Sequence, residues 1–187
     1  MRLRTRSRAV PPRPLARAAR AARARLDPPP TKGLAAVRVD AFLADSAEVV
    51  QNKIYALGAG WNIIFVRGFP AVHRRLSVGA IVHVPFTETN RAHQFELKLL
   101  TEDGVEYPIG IRPDEDGKPA PVRAMGGEFT VGRPPHLVDG DEQVASFAFT
   151  IDGLRFDKPR LFSWVISVDG EEMTRLPMRV QQAAQQG

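Results

Sequence analysis

The 187-residue chain has no cysteine. That removes disulfides, thiol nucleophiles and cysteine-based zinc sites, and it suits a reducing compartment. Long apolar runs are missing too. Nothing approaches the roughly 20 residues a membrane-spanning helix needs, and the N-terminus lacks the apolar stretch of a secretory signal. A cytoplasmic protein that does not engage a membrane is the expectation. No Gly-x-Ser-x-Gly elbow is present, so nucleophilic catalysis has no motif to stand on. The helices of ten or more residues that a βαβ reading needs between strands are not visible either.

Charge is unevenly distributed. Nine of the 26 basic residues fall in residues 1–26, which contain no acid; the other 17 face 21 acidic residues, so the body is net −4. A mildly acidic body makes nucleic acid an unlikely partner except through the arginine-rich tail. The tail, residues 1–36, admits three readings: an arm for an anionic surface, a solvated disordered extension, or a translated stretch ahead of the true start near Val37 or Val39.

From Val37 onward the apolar residues alternate. Phe95, Leu97 and Leu99 share one face; Phe147, Phe149 and Ile151 share another. The same holds for Phe162, Trp164, Ile166 and Val168, for Leu176, Met178 and Val180, and for the pair Phe129 and Val131. A period of two is the signature of strands with one buried face. Asp103-Gly104 and Asp169-Gly170 lie between alternating runs, as hairpin turns do; Asp152-Gly153 reads as a corner, and Asn52 suits a left-handed turn position. The only helix candidates are the tail and Glu88–Gln94. The expected fold is an all-β antiparallel sandwich, immunoglobulin-like or jelly-roll, over residues 37–182, between a disordered or artefactual tail and a disordered C-terminus at 183–187.

One run breaks this rhythm. In Lys53–Phe65, "KIYALGAGWNIIF", two glycines interrupt an apolar strand. Ile54 and Leu57 differ in parity, so the chain must bend near Gly58. Gly58 and Gly60 are read as a corner where the strand bends or changes sheet, with Trp61 filling the space beside it. A phosphate cradle would need a following helix, and "NIIFVRG" does not supply one.

Side-chain chemistry is sparse. His83 and His93 would make a two-histidine metal site only if their strands were neighbours and a third ligand joined them; surface or rim positions are the simpler reading for all four histidines. Asp114, Glu115 and Asp116, and then Asp139, Asp141 and Glu142, read as solvated turns, since neither follows a calcium-loop spacing closely. Asp45, in a mostly apolar strand, is read as a bend residue. No catalytic, cofactor-binding or metal-binding residue is assigned, and no cofactor is expected. Asn90, Arg91 and Arg133 sit on expected end loops, where sandwiches place recognition, and are the candidate interaction residues. Arg133, held before two prolines, reads more simply as an internal tie.

The segments Phe42–Ile64, Val82–Gly104, Gly127–Pro135 and Phe162–Glu172 resemble an uncharacterised bacterial family of short all-β proteins, a domain of unknown function. The resemblance spans Val39 to Val180. It rests on Ala44-Asp45, the Gly-x-Gly-Trp of Gly58 to Trp61, Pro85 with Glu88 and Asn90, and Gly132-Arg133-Pro134. It implies a β-sandwich and brings no activity; the connection Gly110–Gly126 looks longer and more acidic than the family's. The functional expectation is a non-catalytic module that binds a protein partner through a strand edge or end loops. The alternative is a small-ligand or carbohydrate binder stacking on Trp61, Tyr55 or Trp164. An enzyme with spatially assembled acids is the third hypothesis.

Overall fold

Among the described residues thirteen strands follow one another, and two sheets pack across one core. In the computed structural model, which describes residues 36–184, the smaller sheet has the order β1 (Arg38–Ala44), β5 (Ala71–Pro85), β11 (Glu142–Phe156). The larger has the order β10 (Ala124–Thr130), β6 (Ala92–Thr101), β12 (Arg160–Val168), β13 (Glu171–Gln182), β4 (Ile63–Val66), with β7 (Glu106–Tyr107) pairing β6. Two further hairpins stand apart, β2 (Ser46–Val50) with β3 (Lys53–Leu57), and β8 (Gly110–Pro113) with β9 (Pro119–Val122). Tail readings and the last three residues lie outside the described residues.

Alternation explains the layers. Leu76, Val78, Ala80, Val82 and Val84 of β5 point inward and are fully buried, as are Leu97 and Leu99 of β6 and Trp164 and Ile166 of β12. These side chains from both sheets form one continuous core. On the outer face of β5, Gly79 is covered by the ring of Phe42, its cross-strand partner; a side chain at Gly79 would run into that ring. Phe95 stacks on Phe147 and Phe149 at 4.7 and 5.2 Å, so β11 sits against β6.

The turn chemistry acts as expected at three places. Asp169 and Gly170 both have positive φ, 54° and 83°, in the tight turn between β12 and β13. Gln51 and Asn52 do the same, 51° and 59°, between β2 and β3. This is the type I′ geometry whose twist matches flanking strands. Asp103-Gly104 joins β6 to β7 with Gly104 at φ 75°. Asp152-Gly153 is no hairpin: it lies inside the continuous strand β11.

The glycine pair is a fold device. β3 ends at Leu57, Gly58 and Gly60 take φ 64° and 94°, and the chain passes from the β2–β3 hairpin into the larger sheet as β4. Gly60 N donates to Leu43 O at 3.0 Å and Asp45 N to Leu57 O at 3.1 Å, closing the corner. Asp45 is the exposed bend between β1 and β2, and its carboxylate packs against Gly58 where a side chain would stand.

Two expectations need correction. Glu88–Gln94 forms no α-helix; Phe86–Glu88 is a single 3₁₀ turn, Asn90 goes left-handed at φ 63°, and Ala92 already begins β6. The alternation of His93, Phe95 and Leu97 wins over local helix propensity because it fills the core. Among the described residues every pairing is antiparallel except one: β4 runs parallel to β13. A parallel neighbour needs a long crossover, and here the crossover is the whole chain from β5 to β12. Among the described residues no helix is long and apolar enough to cross a membrane.

Candidate interaction surface

The three residues singled out on end loops do meet at one rim, and the fold uses their polar groups. Asn90 N donates to Val131 O at 2.8 Å, and Asn90 Oδ1 accepts from Arg133 N at 3.0 Å. The Arg133 guanidinium donates through Nε to Thr89 Oγ1 at 2.8 Å and through Nη2 to Phe86 O at 2.6 Å, and lies 3.8 Å over the Phe86 ring. Two donors and a stacking face satisfied at once make it an internal tie. Arg91 pairs with Glu88 at 2.6 Å and approaches Asp169 at 3.7 Å.

Beneath this rim lies a pair that the sequence does not announce. The His93 side chain is fully buried. Its Nδ1 is 2.8 Å from Asp169 Oδ2 and its Nε2 is 3.0 Å from Glu88 O. Both neighbours are acceptors, and an Nδ1–H facing the carboxylate satisfies the shorter of the two contacts. Asp169 Oδ1 also accepts from Gln94 N at 2.8 Å. Burial alone pushes the Asp169 carboxyl up; the Gln94 amide, His93 and Arg91 outweigh it and hold it below the usual range. His93 is therefore no rim histidine.

His83 and His93 also lie on strands of different sheets, so they form no joint site. On the outer face of the smaller sheet, His83 Nδ1 meets Glu142 at 2.8 Å and Nε2 meets Asp40 at 3.0 Å, and Arg38 bridges both acids. The His83 contact first, then Arg38, lowers the Glu142 carboxyl against its desolvation. With the two acids on opposite ring nitrogens, one metal ion cannot reach all three. Among the described residues no group of three or more His, Cys, Asp or Glu is placed to hold a metal. Asp114 caps its own turn, accepting from Asp116 N and Lys118 N; Asp141 does likewise for Val138 N.

The aromatic stacking candidates divide. Trp164 is fully buried in the core and offers no surface, because strand parity directs it inward. Trp61 is half-buried, edge-on to His73 at 6.2 Å, and Tyr55 is exposed on the β2–β3 hairpin. An open cleft of about 590 Å³, which shares only His73 with the Trp61 contact, is lined by Asp45, Phe65, Arg67, Val72, His73 and Arg74. Burial pushes the His73 imidazole below its ordinary range, against the Arg75 carbonyl and the Asp45 charge. His73 Nε2 and Trp61 Nε1 are both buried without a hydrogen-bond partner.

The clearest unfilled feature is an edge. Asn52, at the tip of the β2–β3 hairpin, donates from Nδ2 to Val144 O at 2.7 Å and accepts at Oδ1 from Ser146 N at 2.8 Å. Its amide stands where a neighbouring strand's main chain would. These bonds show that even-numbered main-chain groups of β11 point away from β5. The next in line, at Ala148 and Thr150, have no partner among the described residues. Further along, Tyr107 Oη donates to Arg155 O at 2.9 Å. The hairpin β8–β9 touches β11 without pairing with it.

This free edge faces a floor that β11 covers only in part. Phe147 and Phe149 stack on Phe95 of β6, and Phe147 also meets Phe129 of β10 edge-on at 5.2 Å; among the described residues the smaller sheet has no strand beyond β11. The inward residues of β10 are Met125, Gly127 and Phe129, cross-strand from Leu97, Phe95 and His93. Met125, Phe129, Phe147 and Phe149 are only half-buried, and a groove of about 590 Å³ opens at one end of this flank, beside Val131, Gly132, Pro134, Val144 and Ala145. Sequence reasoning missed this region because alternation shows which side chains face inward, not how many strands each sheet will have.

A model of a family of unknown function (DUF6941) matches residues 39–181, and the chain belongs to that family. No curated protein matches it. One similar solved structure is the Pseudomonas fluorescens alkylpurine DNA glycosylase AlkC bound to DNA containing an abasic site analog, at 11% identity and a TM-score of 0.36, covering 78% of this chain and 30% of that one. The chain thus spans about a third of that protein's length, and a likeness at that score bears on no functional question.

Proposed function

We propose that the chain is a non-catalytic interaction module that takes an extended segment of a partner protein as a fourth strand beside β11. The observation that carries this reading is the main chain at Ala148 and Thr150, unpaired among the described residues, beside a half-buried apolar floor. Strand addition draws its affinity from such main-chain bonds and its specificity from alternate side chains. Asn52 bonds as far as Ser146 and Tyr107 holds Arg155, which leaves the eight residues 147–154 between them, roughly 26 Å of strand. A window that short suits a peptide segment; a second copy would bring its own 15-residue β11 with the same two plugs. We include a cytoplasmic location in the proposal, which the lack of cysteine suits.

The test is selection from a displayed random peptide library on the full chain, followed by Ala148→Pro. Proline at 148 removes an N–H that the fold does not use and is tolerated where that N–H faces outward. The expectation is enrichment of extended peptides whose binding Ala148→Pro abolishes while the melting temperature holds. Peptides that bind the proline variant equally well, or no enrichment at all, would overturn the reading; a concentration-dependent dimer disrupted by the same substitution would replace it with self-association.

A second reading is favoured by the unpartnered His73 Nε2 beside the Asp45 cleft: a small anionic ligand facing that nitrogen, which takes up a proton as the anion docks, with Arg67 and Arg74 nearby. A thermal-shift screen with simple carboxylates and phosphates tests it. No shift that His73→Phe abolishes would leave this reading without support.

A further inference from the structure

We infer that the segment docked beside β11 carries one large apolar residue, whose side chain fills the space above Gly127. This rests on the strand-addition reading and adds what that strand must contain. The two adjacent glycines of β10 differ in kind. Gly126 has φ 156°, and a side chain there would collide with the carbonyl of Phe95, so the backbone itself demands glycine. Gly127 has no such cause: its φ is not among the positive ones, and a Cβ built on it meets nothing within 4 Å. It nevertheless faces inward, directly cross-strand from Phe95. Met125 and Phe129 flank it two residues away on the same face, and Phe147 and Phe149 lie stacked over Phe95. Five large apolar side chains thus surround one position that has none.

A strand added to β11 would lie over β10, since β10 is the strand of the larger sheet that extends past β11. Its side chains alternate, so every second one points down onto Met125, Gly127 and Phe129. Above Met125 and Phe129 the space is already taken by their own side chains, and small residues fit there. Above Gly127 the space is empty, and a phenylalanine, leucine, isoleucine or methionine fits. Burial of one such anchor is the ordinary way a few residues come to dominate an interface.

The experiment uses a nine-residue peptide from the selected pool, its single-alanine analogues, and the full chain carrying Gly127→Leu or the milder Gly127→Ala. One alanine replacement is expected to weaken binding tenfold or more. Gly127→Leu is expected to weaken the parent peptide by a similar factor and to bind that one alanine analogue no worse than the unmodified protein does, while keeping or raising the melting temperature because it fills an apolar gap. If Ala148→Pro abolishes binding but no alanine replacement costs more than threefold, or neither substitution at 127 changes affinity, strand addition stands and the anchor is refuted. If Ala148→Pro changes nothing, the docking reading fails and the anchor with it.

Discussion

Asp169 is the most exacting place to test the physical reading of this fold, because one side chain serves three purposes there. It occupies the first left-handed position of the β12–β13 turn, accepts from the Gln94 amide, and accepts from the fully buried His93 ring. Replacement by alanine orphans the His93 Nδ1–H, which costs about 2 kcal/mol for a buried donor. The Gln94 amide is on the exposed side and can turn to water, so its loss is about 0.5 kcal/mol. Placing a Cβ without a polar side chain at positive φ adds about 1 kcal/mol. Because 38% of the Asp169 side chain is exposed, no further ion-pair contribution is added, solvent having screened most of it. The total is about 3 to 4 kcal/mol. Asparagine suits the left-handed position, accepts from Gln94 through Oδ1 and sets its Nδ2 donor opposite His93 Nδ1, which accepts in the tautomer that carries its hydrogen on Nε2 toward Glu88 O; Asp169→Asn should cost about 1 kcal/mol. Urea denaturation at neutral pH reads both, as midpoints at unchanged slope. Equal losses from the two substitutions would refute the assigned role of the buried donor. The acid limb supplies a second check. The folded carboxyl lies below its ordinary 3.8, so its contribution is complete above that value and fades as pH falls through the lower folded-state value. Asp169→Asn should flatten that part of the curve.

Further outcomes follow from the same geometry. Gly126→Ala should cost about 2–4 kcal/mol, since the obstacle is the Phe95 carbonyl and the backbone conformation is one that side chains avoid; calorimetry showing less than 1 kcal/mol would contradict the local geometry. Arg133→Lys should lose about 1–2 kcal/mol, because an ammonium cannot reach Thr89 and Phe86 O together while lying on the Phe86 ring; chemical denaturation measures it. His73 titrates below its ordinary 6.5, so the unfolded chain takes up the proton first and stability falls as pH drops from 6.5 to the folded value, then levels. His73→Phe should remove that step from a pH series of denaturation midpoints, and an unchanged series would show that another group causes it.

How much was legible in the sequence varied from residue to residue. Phe95, Leu97, Leu99, Trp164 and Ile166 were placed on inner faces by alternation alone, and each is fully buried. Asn52 and Asp169-Gly170 announced their turns because few residues tolerate left-handed backbone. Arg133 was readable as a tie from the stiffness of Arg133-Pro134-Pro135, although its partners Thr89 and Phe86 lie some 45 residues earlier and were not. His93 looked like any polar residue at the start of a strand; only the arrival of Asp169, 76 residues later, explains how an imidazole is buried there.

What the order of residues determined by itself is local: the period of two, the turn positions, the bend at Gly58 and Gly60, and hence an all-β chain with two oily inner faces. Tertiary structure alone decided which strands became neighbours. Nothing local specifies that β4 pairs parallel with β13, or that β10 extends past a smaller sheet that stops at β11. Those outcomes depend on contacts between residues far apart in the chain, whose free energies combine only once the layers have met. The unpaired edge at Ala148 and the empty position at Gly127 are properties of that assembly, which is why they appear in the fold and not in the sequence.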